Sequence, residues 1–169
     1  SVSTQTLSIP ENHWQIPVAF IAVFTLAAIW FATVIKLPGA FAQSWDNAFH
    51  LNLAMMFTQN GNASSLAANI VGTDPTGYYP AAWHGLVSLI ASTCSRSVVV
   101  ATNALTIVVA FLVWPLSIYT FTSEITSNNL ASTLSIPLSL AFPQFPMGFI
   151  GYGTLYPNLL GYAFIPLCA

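Results

Sequence analysis

An apolar run covers residues 16–37, and its only charged side chain, Lys36, stands near the end of the run. A helix needs about 20 apolar residues to cross the hydrocarbon core of a bilayer, so this run is long enough to span a membrane. Pro38 follows directly and would end the helix. The run therefore predicts a first transmembrane helix.

Further apolar runs cover residues 98–121, 130–150 and 159–169. Pro115 predicts a kink near the end of the first of these runs, and three prolines interrupt the second. We therefore expect an all-α fold, an integral membrane helical bundle. Because the chain opens without Met and stops inside an apolar run, we expect all of it to be the N-terminal part of a longer transmembrane domain.

The composition excludes several other classes of protein. Hydrophobic residues make up 56% of the chain and charged residues 4%, whereas a soluble domain is about one quarter charged. Disorder is excluded because disordered segments are poor in aromatic residues, and 14% of this chain is aromatic. Lys36 and Arg96 are the only Lys and Arg residues, which is too few for a nucleic-acid-binding patch.

The loop between the first two predicted spans, residues 39–96, holds a polar pattern on a helical period. Ser44 is a residue type that caps a helix, and the sequence after it predicts a short amphipathic helix. Asp46 and His50 stand at i and i+4, which places them on one face of that helix.

A second short amphipathic helix is predicted to begin at Pro80, with His84 and Ser88 at i and i+4. We expect both helices to lie in the plane of the membrane and to present a histidine to the same polar layer. The alternative is that they only seal the loop onto the membrane surface. The segment 59–77 between them is rich in loop-forming residues, and Asp74 is predicted to form a turn.

Four separated strings carry a family resemblance: WDNAFHLN at 45–52, YYPAAWH at 78–84, VWPL at 113–116 and GTLYPN at 153–158. With them the chain resembles an actinobacterial family of large membrane proteins of unknown function. The resemblance extends over nearly the whole chain. Members of that family are several times longer, which agrees with the expectation of a longer protein.

That family in turn resembles the GT-C superfamily of membrane glycosyltransferases. The resemblance implies a GT-C-like bundle that transfers a sugar from a polyprenyl-phosphate donor to a cell-envelope acceptor. It also implies a first outer loop with two in-plane helices and an acidic residue that acts as catalytic base or metal contact. Asp46 stands at the matching place. Asn47 follows it, where the superfamily often has a second acid.

On this basis Asp46 is the candidate catalytic base, since transfer to a hydroxyl needs a group that takes the proton. The alternative is an acid in the first helical turn that the helix dipole favours. His50 is a candidate to orient Asp46 or to contact the donor phosphate, and His84 has the same candidate roles. Each histidine can also be a simple structural partner. A divalent cation bound by these three side chains is a further hypothesis.

Five other residues are candidate substrate-binding groups. Tyr78 and Tyr79 can stack on a sugar, or belong to an aromatic belt at the membrane interface. Asn103, inside a predicted span, either holds helices together or lines the site. The resemblance makes Tyr156 and Asn158 candidates for lining the same cavity.

The expected location is the cell membrane, with several spans and with loop 39–96 on the outer face. That orientation follows from the resemblance, because the positive-inside rule applied to Lys36 and Arg96 alone would place the loop in the cytoplasm. The expected partners are the polyprenyl-phosphate sugar donor, membrane lipid and the remaining helices of the full-length protein. Two other functions stay open: a transporter or lipid flippase that uses Asp46 and the histidines as a path, and a non-catalytic membrane scaffold.

Overall fold

The computed structural model of the protein describes residues 14–68 and 78–169. Helix is the only regular secondary structure in these residues, and they contain no strand. This confirms the predicted all-α fold for the part described. The α-helices are α1 (Gln15–Ile35), α2 (Trp45–Asn60), α3 (Ala82–Cys94), α4 (Val98–Val108), α5 (Trp114–Thr126), α6 (Asn129–Leu138), α7 (Phe149–Gly151) and α8 (Tyr156–Cys168).

Within the described part of the chain, three helical stretches are long and apolar enough to cross a membrane: Gln15–Ile35, Val98–Thr126 and Asn129–Gly151. They correspond to the first three predicted spans. The second continues beyond residue 121 to Thr126, and there the hydroxyls of Thr122 and Thr126 donate to carbonyls one turn earlier, so these polar groups are paired within the helix. The predicted fourth run lies in α8. That these helices begin a longer domain stays a prediction.

The stretch Val98–Thr126 is continuous through Pro115, although its middle is not α-helical. A π-helical segment, Val109–Val113, joins α4 to α5. The amide of Trp114 donates to the carbonyl oxygen of Val109, five residues earlier. A proline cannot donate a backbone hydrogen bond, and this local π geometry directly before Pro115 is one of the known causes of helix irregularity. The irregularity predicted at Pro115 is therefore a π segment.

The third stretch is broken, as its prolines predict. After α6 the chain leaves helical geometry and forms a second π segment, Pro143–Gly148, in which Phe145 is extended with φ −136° and ψ 132°. Aromatic contacts fill the break. The indole Nε1 of Trp114 donates to the carbonyl oxygen of Ser139 at 2.9 Å, and its ring packs edge-on against Phe145.

The helix Val98–Thr126 is the centre of the bundle, and α1 lies at its edge. Within the most apolar 18-residue stretch of each helix, 56% is buried inside the protein for Val98–Thr126 but only 6% for α1. Small and β-branched side chains let α3, α4 and α8 approach each other in the main core. The buried members of that core are Ala54, Trp83, Val87, Ala91, Val98, Ala101, Leu105, Val109, Tyr156, Leu159 and Ala163.

Both helices predicted in the loop are present, with one change of boundary. α2 follows Ser44, as predicted. α3 begins at Ala82 and not at Pro80. Before it, the amides of Tyr79 and Ala81 donate to the carbonyl and hydroxyl oxygens of Ser65, and these bonds fasten the segment before α3 to that residue. The in-plane orientation of the two helices stays a prediction.

Candidate functional site

A polar cleft of about 320 Å³ lies where the first turns of α2 and α8 meet the segment that precedes α3. It brings together parts of the chain that are far apart in sequence. The side chains that line it are Asp46, Phe49, His50, Tyr79, Leu155, Pro157 and Asn158. Four of the predicted site residues, Asp46, His50, Tyr79 and Asn158, therefore share one cleft.

Asp46 stands in the first turn of α2 and is exposed, so its carboxylate is open to a ligand in the cleft. Ser44 was predicted to cap this helix with its side chain, but it makes no capping hydrogen bond. Thr154 gives its hydroxyl hydrogen to the carbonyl oxygen of Gly153, so Ser44 donates to Thr154 Oγ1, 2.9 Å away. This bond ties the start of α2 to the turn before α8.

The turn before α8 approaches Asp46 closely. Gly153 has φ 79°, a left-handed conformation that favours glycine, and a β-carbon added there would lie 3.8 Å from Oδ2 of Asp46. Thr154 also has a positive φ, 51°, and is buried. The Ser44–Thr154 hydrogen bond helps to hold this turn against the carboxylate.

His50 and His84 form a buried pair behind the cleft. Nδ1 of His50 lies 2.9 Å from Nε2 of His84, and their ring centroids are 5.1 Å apart. The two histidines therefore meet in one polar layer between α2 and α3, and the position of that layer relative to the membrane stays a prediction. α2 packs on α3 through this face, and His84 has no exposed surface.

The environment keeps both rings neutral near pH 7. Burial, with a smaller contribution from the neighbouring His50, lowers the pKa of His84 to about 3. Burial also lowers the pKa of His50, while the negative charge of Asp46 acts in the opposite direction. Burial, with a smaller contribution from Asp46, raises the pKa of the Tyr79 hydroxyl. The cleft therefore combines one anionic group with neutral polar groups.

Aromatic rings form the walls around this pair. Tyr79 packs edge-on against Phe49 with centroids 4.9 Å apart, and against His84 at 5.5 Å. Tyr156 does not line the cleft. It stacks on Trp83 with an interplanar angle of 3°, and its ring lies 5.4 Å from that of His50. Tyr156 thus packs behind His50 and restricts its ring.

Two predicted substrate-binding residues lie elsewhere. Tyr78 is 70% exposed and does not line the cleft. Asn103 donates from Nδ2 to the carbonyl oxygens of Pro38 and Ala40, at 2.9 and 2.7 Å, so it fastens the α1–α2 connection to α4. This geometry corresponds to the alternative in which Asn103 holds elements together. Asp74 lies outside the described residues.

Metal binding was a hypothesis for Asp46, His50 and His84. Within residues 14–68 and 78–169, no three His, Cys, Asp or Glu side chains come together as a metal site. The two histidines use one nitrogen each for their mutual hydrogen bond, which leaves Asp46 and one nitrogen of His50 at the cleft. These residues do not supply the three protein ligands that are usual for zinc.

The sequence interpretation missed several residues that build the site. Thr154 and Leu155 had no assigned role, although both belong to the GTLYPN string. Asn47 was noted only as a missing acid. It is buried, donates to the carbonyl oxygen of Ala42, and leaves its Oδ1 without a partner within the described chain. The signal available in the sequence was that Asn47 is a polar residue directly beside Asp46.

Fold and cleft together define a helical protein whose described residues include three helices able to span a membrane and, outside them, a cleft that combines polar and apolar side chains. The chain belongs to the family of unknown function DUF6541, whose model matches residues 1–169. No curated protein and no solved structure matches the chain.

Proposed function

We propose that this protein is a membrane glycosyltransferase that uses a polyprenyl-phosphate sugar donor and a cell-envelope acceptor, with Asp46 as the catalytic base. The observation that carries the proposal is an exposed carboxylate in a cleft whose other polar groups are a neutral imidazole, a phenol and an amide. Carboxylates, amides and aromatic rings are suited to sugars, because sugars offer both hydroxyl groups and apolar faces.

The proposed reaction uses Asp46 at one step. The hydroxyl oxygen of the acceptor attacks the anomeric carbon of the donor sugar and forms the new glycosidic bond. The bond between that carbon and the phosphate oxygen breaks, and its electron pair leaves with the polyprenyl phosphate. Asp46 takes the proton of the attacking hydroxyl and later returns it to water. Tyr79 and Asn158 are placed to orient the sugar.

The departing phosphate needs its own stabilisation, by positive charge or hydrogen-bond donors. Neither Lys36 nor Arg96 lines the cleft. In this proposal the phosphate is met by the remaining helices of the full-length protein or by a divalent cation. The loop that carries α2 and α3 faces the outside of the cell, where the acceptor is built.

The test is sugar transfer by the full-length protein in detergent or liposomes, with Asp46→Asn as the variant. Asn keeps the shape of Asp but cannot take a proton, so we expect turnover to fall about 10²–10⁴-fold. Glu124→Gln is the matched control, because Glu124 is an exposed acid on α5, away from the cleft, and should leave turnover unchanged. Thermal stability is measured alongside both variants. Wild-type turnover by a folded Asp46→Asn protein would overturn the proposal.

A further inference from the structure

The hydrogen bond between His50 and His84 determines the chemistry of the ring that faces the cleft. A neutral imidazole has one nitrogen that donates and one that accepts, so a bond between Nδ1 of His50 and Nε2 of His84 permits only two proton arrangements. If His50 donates, its other nitrogen, Nε2, is an acceptor. If His84 donates, Nε2 of His50 carries a proton.

The surroundings of His84 favour donation by His84. Its Nδ1 is buried and lacks a partner within residues 14–68 and 78–169. Were His50 the donor, this nitrogen would hold an unpaired buried N–H, and unpaired buried N–H groups are rarer in proteins than unpaired acceptors. Donation from Nε2 of His84 leaves only an unpaired acceptor at Nδ1. The same arrangement puts a hydrogen on Nε2 of His50.

The surroundings of His50 agree with this assignment. Asp46 lies one helical turn away and lines the same cleft, and its negative charge favours an N–H over a lone pair on the nearby nitrogen. Nε2 of His50 makes no hydrogen bond to any described group, so its hydrogen is free for a ligand. The ring is held in place by the bond to His84 and by Tyr156.

The charge of the cleft indicates which ligand group that hydrogen meets. Asp46 is the only Asp, Glu, Lys or Arg among the described residues that line the cleft, so a phosphate there would face a like charge. A sugar hydroxyl is neutral, and its oxygen can accept from His50 while its hydrogen is donated to Asp46.

We infer that His50 is a neutral donor that binds a sugar hydroxyl through Nε2–H, and that His84 is the positioning residue that fixes this tautomer. The inference rests on the proposed function and names the part of the substrate that this cleft binds. It differs from the earlier hypothesis that His50 contacts the donor phosphate.

The tautomer can be measured without any ligand, by magnetic resonance of isotope-labelled imidazole nitrogens in the full-length protein. The His50 signals are assigned by their loss in His50→Gln. We expect His50 to be neutral at about pH 7, with its hydrogen on Nε2 and its Nδ1 unprotonated. A hydrogen on Nδ1 of neutral His50 would overturn the inference.

Two substitutions of His50 test the donor itself. The amide nitrogen of Gln reaches about as far as Nε2, whereas that of Asn reaches only about as far as Nδ1. A panel of sugar-bearing polyprenyl phosphates serves as the probe, with sugar-free polyprenyl phosphate for comparison. We expect His50→Asn to weaken binding of the best sugar-bearing lipid, or to raise the KM for the acceptor, by about threefold to tenfold. His50→Gln should retain most of the wild-type value.

A double-mutant cycle tests whether His84 acts through His50. His84→Leu should weaken the same binding in the wild-type background by up to about threefold, and should have no further effect in the His50→Asn background. Ser88→Ala is the matched control, because Ser88 lies one turn along α3, is buried, and accepts from Thr58 and not from His50. It should change binding in neither background.

The outcomes separate the inference from the proposed function. A loss of affinity confined to sugar-bearing lipid assigns the hydroxyl to the donor, and a raised KM for the acceptor alone assigns it to the acceptor. Equal losses for Gln and Asn, or additive effects of the two histidines, would overturn the inference while transfer activity persists. If sugar-bearing lipid binds no better than sugar-free lipid and no transfer occurs, the proposed function fails, and the sugar contact fails with it.

Discussion

Helix α1 and the helix pair α2–α3 differ in what they expose and what they enclose. On α1, large apolar side chains point away from the protein, with Ile21 and Leu26 66% and 68% exposed. α2 and α3 bury apolar side chains and enclose polar ones among them, with Asn47 at 1% and His84 at 0% exposure. In a soluble protein, exposed rows of large apolar side chains and fully buried polar side chains are both uncommon.

The difference separates a surface suited to an apolar environment from an interior that holds polar groups. An apolar helix that buries almost nothing within the chain is suited to hydrocarbon or to further helices. Polar groups enclosed between helices are costly unless they are bonded or functional. His50 and His84 satisfy part of that requirement through their mutual hydrogen bond, and His50 also lines the cleft.

The largest expected effect compares one residue type in the two regions. Leu53 on α2 has no exposed surface, so Leu53→Ala leaves a cavity and should destabilise the protein by about 2–5 kcal/mol. Leu26→Ala on α1 removes side-chain atoms that contact little of the protein and should change stability by less than about 0.5 kcal/mol. Thermal unfolding in detergent measures both. Equal losses of stability in the two variants would contradict the difference between α1 and α2.

A smaller effect is expected from pH, because the histidines within the described residues, His50 and His84, are buried in α2 and α3. Burial lowers the pKa of His84 from 6.5 to about 3, so below about pH 6.5 the unfolded chain takes up a proton that the folded chain does not. Stability is therefore greatest above that pH and falls as the pH drops toward 3. The slope from this group is at most about 1.4 kcal/mol per pH unit.

The matched variant for this prediction is His84→Leu, which removes the titrating group. Its thermal stability should depend less steeply on pH than that of the wild type between about pH 6 and pH 4. Leu26→Ala should keep the wild-type dependence of stability on pH, since α1 holds no His, and this result would support the difference between α1 and α2–α3. An unchanged slope in His84→Leu would show that the interior of α2–α3 is not the acid-sensitive part.

Periodicity and hydropathy were sufficient to predict the helices but not the contacts between them. The apolar runs predicted the three spanning stretches, and Ser44 marked the start of α2 correctly. Helical spacing also placed Asp46 and His50 on related faces. These features depend on neighbours within one turn, which the sequence contains directly.

The contacts between helices could not be predicted in the same way. Spacing on one helix does not say which other helix it meets, so the bond from His50 to His84 and the bond from Ser44 to Thr154 were not foreseen. Asn103 illustrates the same limit. Its polarity inside a span called for a partner, but only the path of the chain after α1 determines that its partners are the carbonyls of Pro38 and Ala40.

Cysteine accessibility tests the central claim that the cleft opens to water on the outer face while α1 faces an apolar environment. The native Cys94 and Cys168 are exposed, so both are first replaced by Ala in the full-length protein. A single Cys is then placed at Asn158, in the cleft, or at Leu26, on α1. Intact cells are treated with a membrane-impermeant thiol reagent, and inverted vesicles are treated in parallel.

The account predicts that Asn158→Cys reacts in intact cells and is protected in inverted vesicles, and that Leu26→Cys reacts in neither. Reaction of Asn158→Cys only in inverted vesicles would place the cleft on the cytoplasmic side. That result would contradict the proposal of a transferase whose cleft opens on the outer face. Rapid reaction of Leu26→Cys with the water-soluble reagent would contradict the assignment of α1 to the membrane.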